Sequence, residues 1–258
     1  YSQEIQTPEL GFGMEGILQK RSTHLHGILN GVDYSVWNPE TDPLIPVNYG
    51  PTSLSQKTQC REYLMRMFSL RLNKRTPILC MITRLSEQKG IDLIMEAKAV
   101  LNKLDISLLI LGTGESRYES FFQQWSKERP DHIATALKFD ESLGHRILAG
   151  SDMLLMPSRY EPCGLTQMYA LKSGTVPIVR NIGGLKNSIQ EFSDKTGKGN
   201  GFKFPNKKYF LKSLQKALSC FNQTKTWEKL MRNGMGKDNS WECSAKQYSR
   251  LYQKILRS

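Results

Sequence analysis

Short apolar runs alternate with amphipathic stretches along the chain from about residue 76. The runs at 77–83, 106–111 and 176–180 are continuous and rich in Ile, Leu and Val, which is typical of buried strands. Between the first two runs, apolar residues recur at helical spacing from Ile91 to Leu104. Five such strand–helix steps follow one another, and this order predicts a parallel, doubly wound sheet with helices on both faces.

The two ends of the chain differ in composition from this central part. Residues 1–50 are rich in Gly, Pro and Asn, so we expect loops and turns there, whereas about 53–71 looks helical. After a Gly-rich loop at 196–201, three helical stretches follow, the last from about 243 to 256. The sequence therefore predicts an α/β protein in which a Rossmann-like domain occupies 51–240, between a loop-rich segment (1–50) and a C-terminal helix (241–258).

The chain is strongly basic. Its 36 Lys and Arg residues exceed its 24 Asp and Glu residues by 12, a surplus that suits nucleic acid, anionic membrane or phosphorylated partners. A solvated basic surface explains the same surplus, and the basic residues are scattered with no aromatic RNA-binding signature, so we expect no nucleic-acid partner. Because no apolar stretch approaches the ~20 residues that cross a bilayer, we also expect no membrane partner.

Cysteine and histidine usage restricts the chemistry further. The five cysteines are widely spaced with no C-x-x-C pair, which indicates neither a disulfide framework nor a zinc site and favours a reducing, cytoplasmic compartment. His132 and His145 stand alone, and no cluster has metal-ligand spacing, so we expect no metal and no cofactor. The absence of a G-x-S-x-G elbow and of a GxxxxGK[ST] loop argues against a serine hydrolase and a P-loop NTPase.

The loops after the predicted strands carry the candidate chemistry, because ligands of open α/β sheets bind beyond the carboxyl ends of the strands. After the first strand, Arg84 and Lys89 lie five residues apart on a turn that leads into a helix. A planar guanidinium and a compact ammonium suit a diphosphate, although an exposed basic loop explains the same residues equally well. The glycine-rich turn at 112–114, after the second strand, is a weaker signal, because such turns are common at strand ends.

The loop after the fourth strand combines a carboxylate with a helix start. Glu161 lies at the end of this strand, and Gly164, Leu165 and Thr166 open the next predicted helix, where unpaired backbone N–H groups favour an anion. Another flexible turn, at 181–185, follows the fifth strand at the same edge of the sheet. We therefore expect the charge of Glu161 to act on a bound substrate, with bracing of its own loop as the alternative role.

Five segments carry a resemblance to a known family. They are HGILNGVDYSVWNPETD (26–42), RLSEQKGIDL (84–93), SRYEPCGLTQMYALKSGTVPIVRNIGGL (158–185), NGF (200–202) and SWECSAKQYSRLY (240–252). With these segments the chain resembles the C-terminal half of bacterial glycogen synthases and plant starch synthases, which are glucosyltransferases of the GT-B fold. The resemblance spans nearly the whole chain.

The resemblance implies a reaction and a set of site residues. It implies transfer of glucose from a nucleotide sugar, ADP-glucose in the bacterial branch, to the non-reducing end of an α-1,4-glucan (glycogen) with retention at the anomeric carbon. By position in the matching segments, Arg84 and Lys89 correspond to cations at the donor phosphates and Glu161 to a donor-site residue, and we count all three as catalytic. The substrate-binding positions implied in the same way are Asn30, Phe139, Cys163, Gly164, Leu165 and Thr166.

Two departures from the family pattern qualify this interpretation. The wider group of retaining GT-B transferases carries a second Glu eight residues after the first, and Tyr169 stands there, so the ribose contact is unassigned. The family's N-terminal domain, with its KxGG loop, has no counterpart here. We therefore expect a nucleotide-binding half that is inactive by itself. Its last helix would pack on its own N-terminal domain, which is absent here. The alternatives are a non-catalytic nucleotide- or glucan-binding module and another retaining GT-B transferase.

Overall fold

Six parallel strands form one sheet in the computed structural model, which describes residues 1–71, 73 and 75–257. The strands are β1 (Ile78–Ile82), β2 (Ser107–Leu111), β3 (Ile133–Ala136), β4 (Met153–Met156), β5 (Val176–Arg180) and β6 (Phe202–Phe204). They lie in the order β3-β2-β1-β4-β5-β6, so the chain crosses from one side of β1 to the other after β3. This order confirms the predicted doubly wound α/β fold and places a topological switch point between β1 and β4.

Two strands differ from the sequence prediction. β6 was not predicted, because its three residues directly follow a glycine-rich loop and form too short an apolar run. The pattern of residues 132–139 predicts one strand over this whole range, but β3 covers only Ile133–Ala136. Phe139 therefore lies in the loop beyond the strand, where its side chain is free to leave the sheet.

Helices cover both faces of the sheet. Helices α4, α5, α9 and α10 contribute to the apolar core on one face, and α3, α6, α7 and α8 to the core on the other. None of the helices within the described residues is both long and apolar enough to span a bilayer. The bounds are α1 (Pro8–Gly11), α2 (Glu15–Lys20), α3 (Lys57–Met67), α4 (Ile91–Leu101), α5 (Ser116–Glu128), α6 (Glu141–Gly150), α7 (Thr166–Lys172), α8 (Gly183–Ser188), α9 (Lys207–Phe221), α10 (Thr224–Met235) and α11 (Trp241–Ile255).

The N-terminal segment is partly helical. We predicted loops and turns over residues 1–50, and residues 25–50 contain neither a helix nor a strand. Residues 8–20, however, form the short helices α1 and α2. Pro8 occupies the first position of α1, where its fixed φ suits a helix start, so a local signal for this helix was present in the sequence.

A buried lysine ties three helices together. Lys57, at the start of α3, donates from Nζ to the carbonyl oxygens of Leu148 (3.2 Å), Ala149 (2.8 Å) and Ser173 (3.0 Å), near the C-terminal ends of α6 and α7. Carbonyl groups at helix ends have no partner within their own helix, and here the ammonium shares these three oxygens with the hydroxyl groups of Tyr49 and Thr175, which donate to them as well. Burial lowers the pKa of Lys57 to about 8, an effect that the charge of Asp152 opposes.

Candidate functional site

A cavity of about 430 Å³ opens at the carboxyl ends of the central strands. Residues that follow β1, β2 and β3 line it together with the first turns of α6 and α7. Three residues singled out from the sequence, Arg84, Phe139 and Thr166, meet in this cavity. The ring of Phe139 is 92% exposed, so it stands at the cavity mouth with both faces open to a ligand.

Two aromatic residues that the sequence analysis missed also line this cavity. The rings of Trp37 and Tyr169 are parallel, with centroids 4.0 Å apart. Trp37 also stacks on His145 at 3.7 Å, and His145 Nδ1 lies 2.6 Å from Asp42 Oδ2. We treated His145 as isolated because its carboxylate partner lies 103 residues away in the sequence. These contacts hold the Trp37 ring in place at the cavity.

Lys89 and Glu161 form an ion pair beside this cavity. Lys89 Nζ lies 2.6 Å from Glu161 Oε2, which also accepts a hydrogen bond of 3.0 Å from Ser158 Oγ. Only 16% of the lysine side chain and 8% of the glutamate side chain are exposed. The turn at Gly90 brings the two loops together: its φ is +69°, and a Cβ there would lie 2.1 Å from the carbonyl oxygen of Pro157. The structure thus joins two of the three residues predicted to be catalytic.

Arg84, the third of these residues, contacts the same pair of loops through a glutamine. Arg84 Nη2 donates to Gln88 Oε1 at 3.3 Å, and Gln88 Nε2 donates to the carbonyl oxygen of Tyr160 at 3.4 Å. Tyr160 directly precedes Glu161 in the sequence. The guanidinium lines the cavity while the ammonium of Lys89 faces the carboxylate, so the two cations have different surroundings.

The loop before α7 is shaped by glycine and by a buried amide. We predicted a helix start at Gly164, but α7 begins at Thr166, and Gly164 has a φ of +69° that a helix does not permit. Gln167 Nε2 donates to the carbonyl oxygens of Cys163 (3.1 Å) and Gly164 (2.7 Å) and so holds the loop against the helix. Leu165 is the residue immediately before the helix.

Asn30 and Cys163, which the resemblance placed at the site, are neighbours. Burial raises the pKa of the Cys163 thiol, and a hydrogen bond from the backbone of Asn30 to the sulfur partly offsets this. The segment that carries Asn30 is therefore held against the loop after β4. The contact brings residues from the N-terminal part of the chain to the edge of the sheet that carries Glu161.

A second carboxylate reaches this edge from the N-terminal segment. Glu4 Oε1 accepts a hydrogen bond of 2.9 Å from the backbone N–H of Gly183, at the start of α8, and Glu4 Oε2 is buried without a partner among the described residues. A Cβ at Gly183 would lie 2.0 Å from the carbonyl oxygen of Glu161, so the two loops are in direct contact. Sequence reasoning could not find Glu4, because 179 residues separate it from its partner.

The chemistry available at this site is that of cations, carboxylates, backbone amides and aromatic rings. Among residues 1–71, 73 and 75–257, no group of three or more His, Cys, Asp or Glu side chains is placed to hold a metal ion. A Rossmann-like sheet with a partly aromatic, partly cationic cavity at its switch point is suited to bind a nucleotide.

Comparison with known proteins gives the family. The family described as "Glycosyl transferases group 1" matches residues 66–234, and the chain belongs to this family. The chain is 43% identical over 257 residues to a glycogen synthase of Anaeromyxobacter dehalogenans and 46% identical over 256 residues to one of Koribacter versatilis. These matches cover 99% and 98% of this chain but only 54% and 53% of the relatives, so it spans about half the length of the curated relatives it matches.

A solved structure agrees with this assignment. The chain resembles the catalytic domain of starch synthase IV from Arabidopsis thaliana, bound to ADP and acarbose, with a TM-score of 0.93 and 34% identity. The likeness covers 100% of this chain and 54% of that one. A sucrose-phosphate synthase from Thermosynechococcus elongatus, at 20% identity and a TM-score of 0.62, shares the fold. The resemblance found in the sequence is thus confirmed.

Proposed function

We propose that this chain is the nucleotide-sugar-binding half of an α-1,4-glucan synthase. In this function, glucose passes from ADP-glucose to the non-reducing end of a glycogen-type glucan with retention of configuration. The observation that carries the proposal is the cavity at the switch point, where Arg84 lies among aromatic residues and is linked through Gln88 to the loop that carries Glu161. The glycogen synthase relatives and the ADP-bound neighbour support this substrate class over the alternative of a non-catalytic module.

The cavity residues have distinct parts in donor binding. The adenine base packs against Phe139, whose exposed ring offers a face for stacking, in the cavity that Trp37 and Tyr169 also line. Arg84 and the backbone N–H groups from Gly164 to Thr166 bind the diphosphate, because both supply hydrogen-bond donors to an anion.

The reaction requires stabilisation of the departing diphosphate. The bond from the anomeric carbon to the ADP oxygen breaks, the bond from that carbon to the acceptor 4-oxygen forms, and the acceptor proton passes to the leaving phosphate. Arg84 and Lys89 stabilise the negative charge that grows on this phosphate. Glu161, buried beside Lys89, acts on the transferred glucose, whose ring carries positive charge in the transition state.

The remaining partner is a domain that precedes this chain in the longer protein. Helix α11 exposes Trp241 (46%) and Tyr252 (60%), Leu256 directly after it is 86% exposed, and Ser244 is the one residue of this helix that is buried. Such an apolar face suits a covering domain. The relatives, of which the chain spans about half, are long enough to contain one. We infer a cytoplasmic location from the five free cysteines.

Titration of ADP into the chain tests the donor part of the proposal. Arg84→Ala should weaken ADP binding about tenfold or more, because a charge-assisted hydrogen bond to phosphate is lost. Lys254→Ala, a change at an exposed lysine of α11, is the control and should leave the affinity unchanged. Absence of ADP binding, or equal affinities of the two variants, would contradict the proposal.

A further inference from the structure

An open cavity of about 610 Å³ lies far from the nucleotide cavity, at the amino edge of the sheet. The glycine-rich loop at 196–200, which precedes β6, forms one side of it, and helix α10 with Lys237 beyond its end forms the other. Because the strands are parallel, a loop that precedes a strand lies at the amino edge, whereas the nucleotide cavity opens at the carboxyl edge. The two cavities share no lining residue.

The lining of this amino-edge cavity is positively charged. Lys198, Lys229 and Lys237 line it, and no Asp or Glu side chain within the described ranges does so. None of these lysines lies within ion-pair distance of a carboxylate in the described part of the chain. Three ammonium groups around one cavity repel each other, so the cavity favours an anion.

The neighbouring carboxylates do not compensate this charge, because they have other partners. Four carboxylates lie within two residues of the cavity lining in the sequence, and each has a partner outside the lining: Glu191 with Lys216, Asp194 with Cys220, Glu228 with Arg232, and Asp238 with Ser240. The three lysines of the cavity are therefore left to an external anion.

The glycine-rich loop is held in place and leaves room for an ammonium group. Asn233 Nδ2 donates to the carbonyl oxygens of Gly197 (2.9 Å) and Gly199 (2.8 Å), which fixes the loop on α10. Both glycines have a positive φ, +64° and +103°, that other residues rarely adopt. A Cβ at Gly197 would lie 2.1 Å from Lys229 Nζ, so this ammonium group rests directly against the loop.

Lys237 is held at the cavity by burial and a backbone contact. Its Nζ donates to the carbonyl oxygen of Ser188, at the end of α8. Burial lowers the pKa of Lys237, and the charge of Lys203 lowers it further. An anion in the cavity would oppose both effects, because it stabilises the charged form of the lysine.

We propose that this amino-edge cavity binds a phosphate group between Lys198, Lys229 and Lys237, at a site separate from that of the nucleotide sugar. Phosphate suits the cavity because its oxygens accept charge-assisted hydrogen bonds and lysine binds it as a compact point charge. A neutral ligand would leave the three ammonium groups unpaired. Free phosphate and the phosphate ester of a small hydroxyl-bearing molecule share this chemistry.

Nuclear magnetic resonance titration of orthophosphate into the chain, labelled with ¹⁵N at glycine, tests this inference at constant ionic strength. The amide signals of Gly197 and Gly199 should shift along a saturable curve, while Gly112, in the nucleotide cavity, reports any binding there separately. Lys229→Met should weaken the affinity measured at Gly197 about tenfold, because a charge-assisted contact is lost. Lys225→Met, at an exposed lysine one turn earlier on α10 and outside the cavity, is the matched control and should change the affinity by less than about twofold.

Ribose 5-phosphate in the same titration distinguishes the two sources of phosphate. Tighter binding than that of orthophosphate supports a phosphate ester at this site, and equal binding supports the free anion. Three results would overturn the inference: no saturable shift at Gly197 and Gly199, a shift at Gly112 alone, or equal losses of affinity in Lys229→Met and Lys225→Met. The last result would show that the net positive charge of the chain attracts phosphate without a site.

Discussion

The Lys89–Glu161 ion pair can be tested by removing one charge at a time. Removing one partner of a buried ion pair typically destabilises a protein by ~3–5 kcal/mol. We expect about 3 kcal/mol for Lys89→Met, because the carboxylate then keeps only the hydrogen bond from Ser158. Glu161→Gln retains an oxygen that can accept hydrogen bonds from Lys89 and Ser158, so we expect this change to lower the free energy of unfolding by only about 1–2 kcal/mol. The sequence alone led us to expect less than ~1 kcal/mol for this change, because it gave no sign that the residue is buried.

The same substitution has a second, opposite effect on the nucleotide. Glu161 neutralises Lys89, so Glu161→Gln leaves an ammonium free to attract a diphosphate. A unit charge one Debye length, about 8 Å, from a phosphate contributes about 2 kcal/mol at an effective dielectric constant of 20, and ionic screening reduces this to roughly 1 kcal/mol. We therefore expect ADP to bind about fivefold more tightly to Glu161→Gln. If Glu161 has the role proposed above, glucosyl transfer by the longer protein should fall at least ~100-fold, because the charge assigned to the transferred glucose is lost.

The free energies of unfolding and the ADP affinities are measured by urea denaturation and calorimetry on the wild type, both single variants and the double variant. The stability losses should be non-additive, with a coupling energy of about 1 kcal/mol or more. The exposed pair of Arg232 and Glu228, with side chains 47% and 44% exposed, is the control, and its coupling should stay below ~0.5 kcal/mol. Additive losses at Lys89 and Glu161, together with unchanged or weaker ADP binding by Glu161→Gln, would refute the reasoning.

Three further changes have expected outcomes. Lys57→Met should destabilise the chain by about 2 kcal/mol, because three buried carbonyl oxygens each lose one of their donors and keep only a hydroxyl group. The pKa of Lys57 is lowered to about 8 in the folded chain, so the unfolded chain binds this proton more tightly. The free energy of unfolding of the wild type, measured by urea titration, should therefore rise relative to that of Lys57→Met as the pH increases from about 8 towards 10. Phe139→Ala should weaken ADP binding about fivefold in calorimetry while changing stability by less than ~0.5 kcal/mol, because the ring is 92% exposed. Gly183→Ala should lower stability by about 2 kcal/mol or more in the same denaturation assay, since its φ is +47° and the added Cβ would strike the carbonyl oxygen of Glu161.

The sequence predicted most of the fold because local patterns determine it. Strands β1, β2, β4 and β5 are apolar runs that are each followed by a helical stretch, and the βα order restricts the connections to a few topologies. The same order brings the loops after β1, β3 and β4 to one edge. This is why Arg84, Phe139 and Thr166 meet in one cavity although 81 residues lie between the first and the last.

The missed parts of the site depend on contacts between distant segments. Trp37 and Asp42 lie in a segment without helix or strand, and only the folded chain shows that they stack on and bind His145. Glu4 reaches Gly183 in the same way. No periodicity marks such residues, because in an irregular segment the sequence position of a residue does not determine the direction of its side chain. The burial of the Lys89–Glu161 pair is likewise visible only in the folded chain, because the sequence shows both residues as charges in loops.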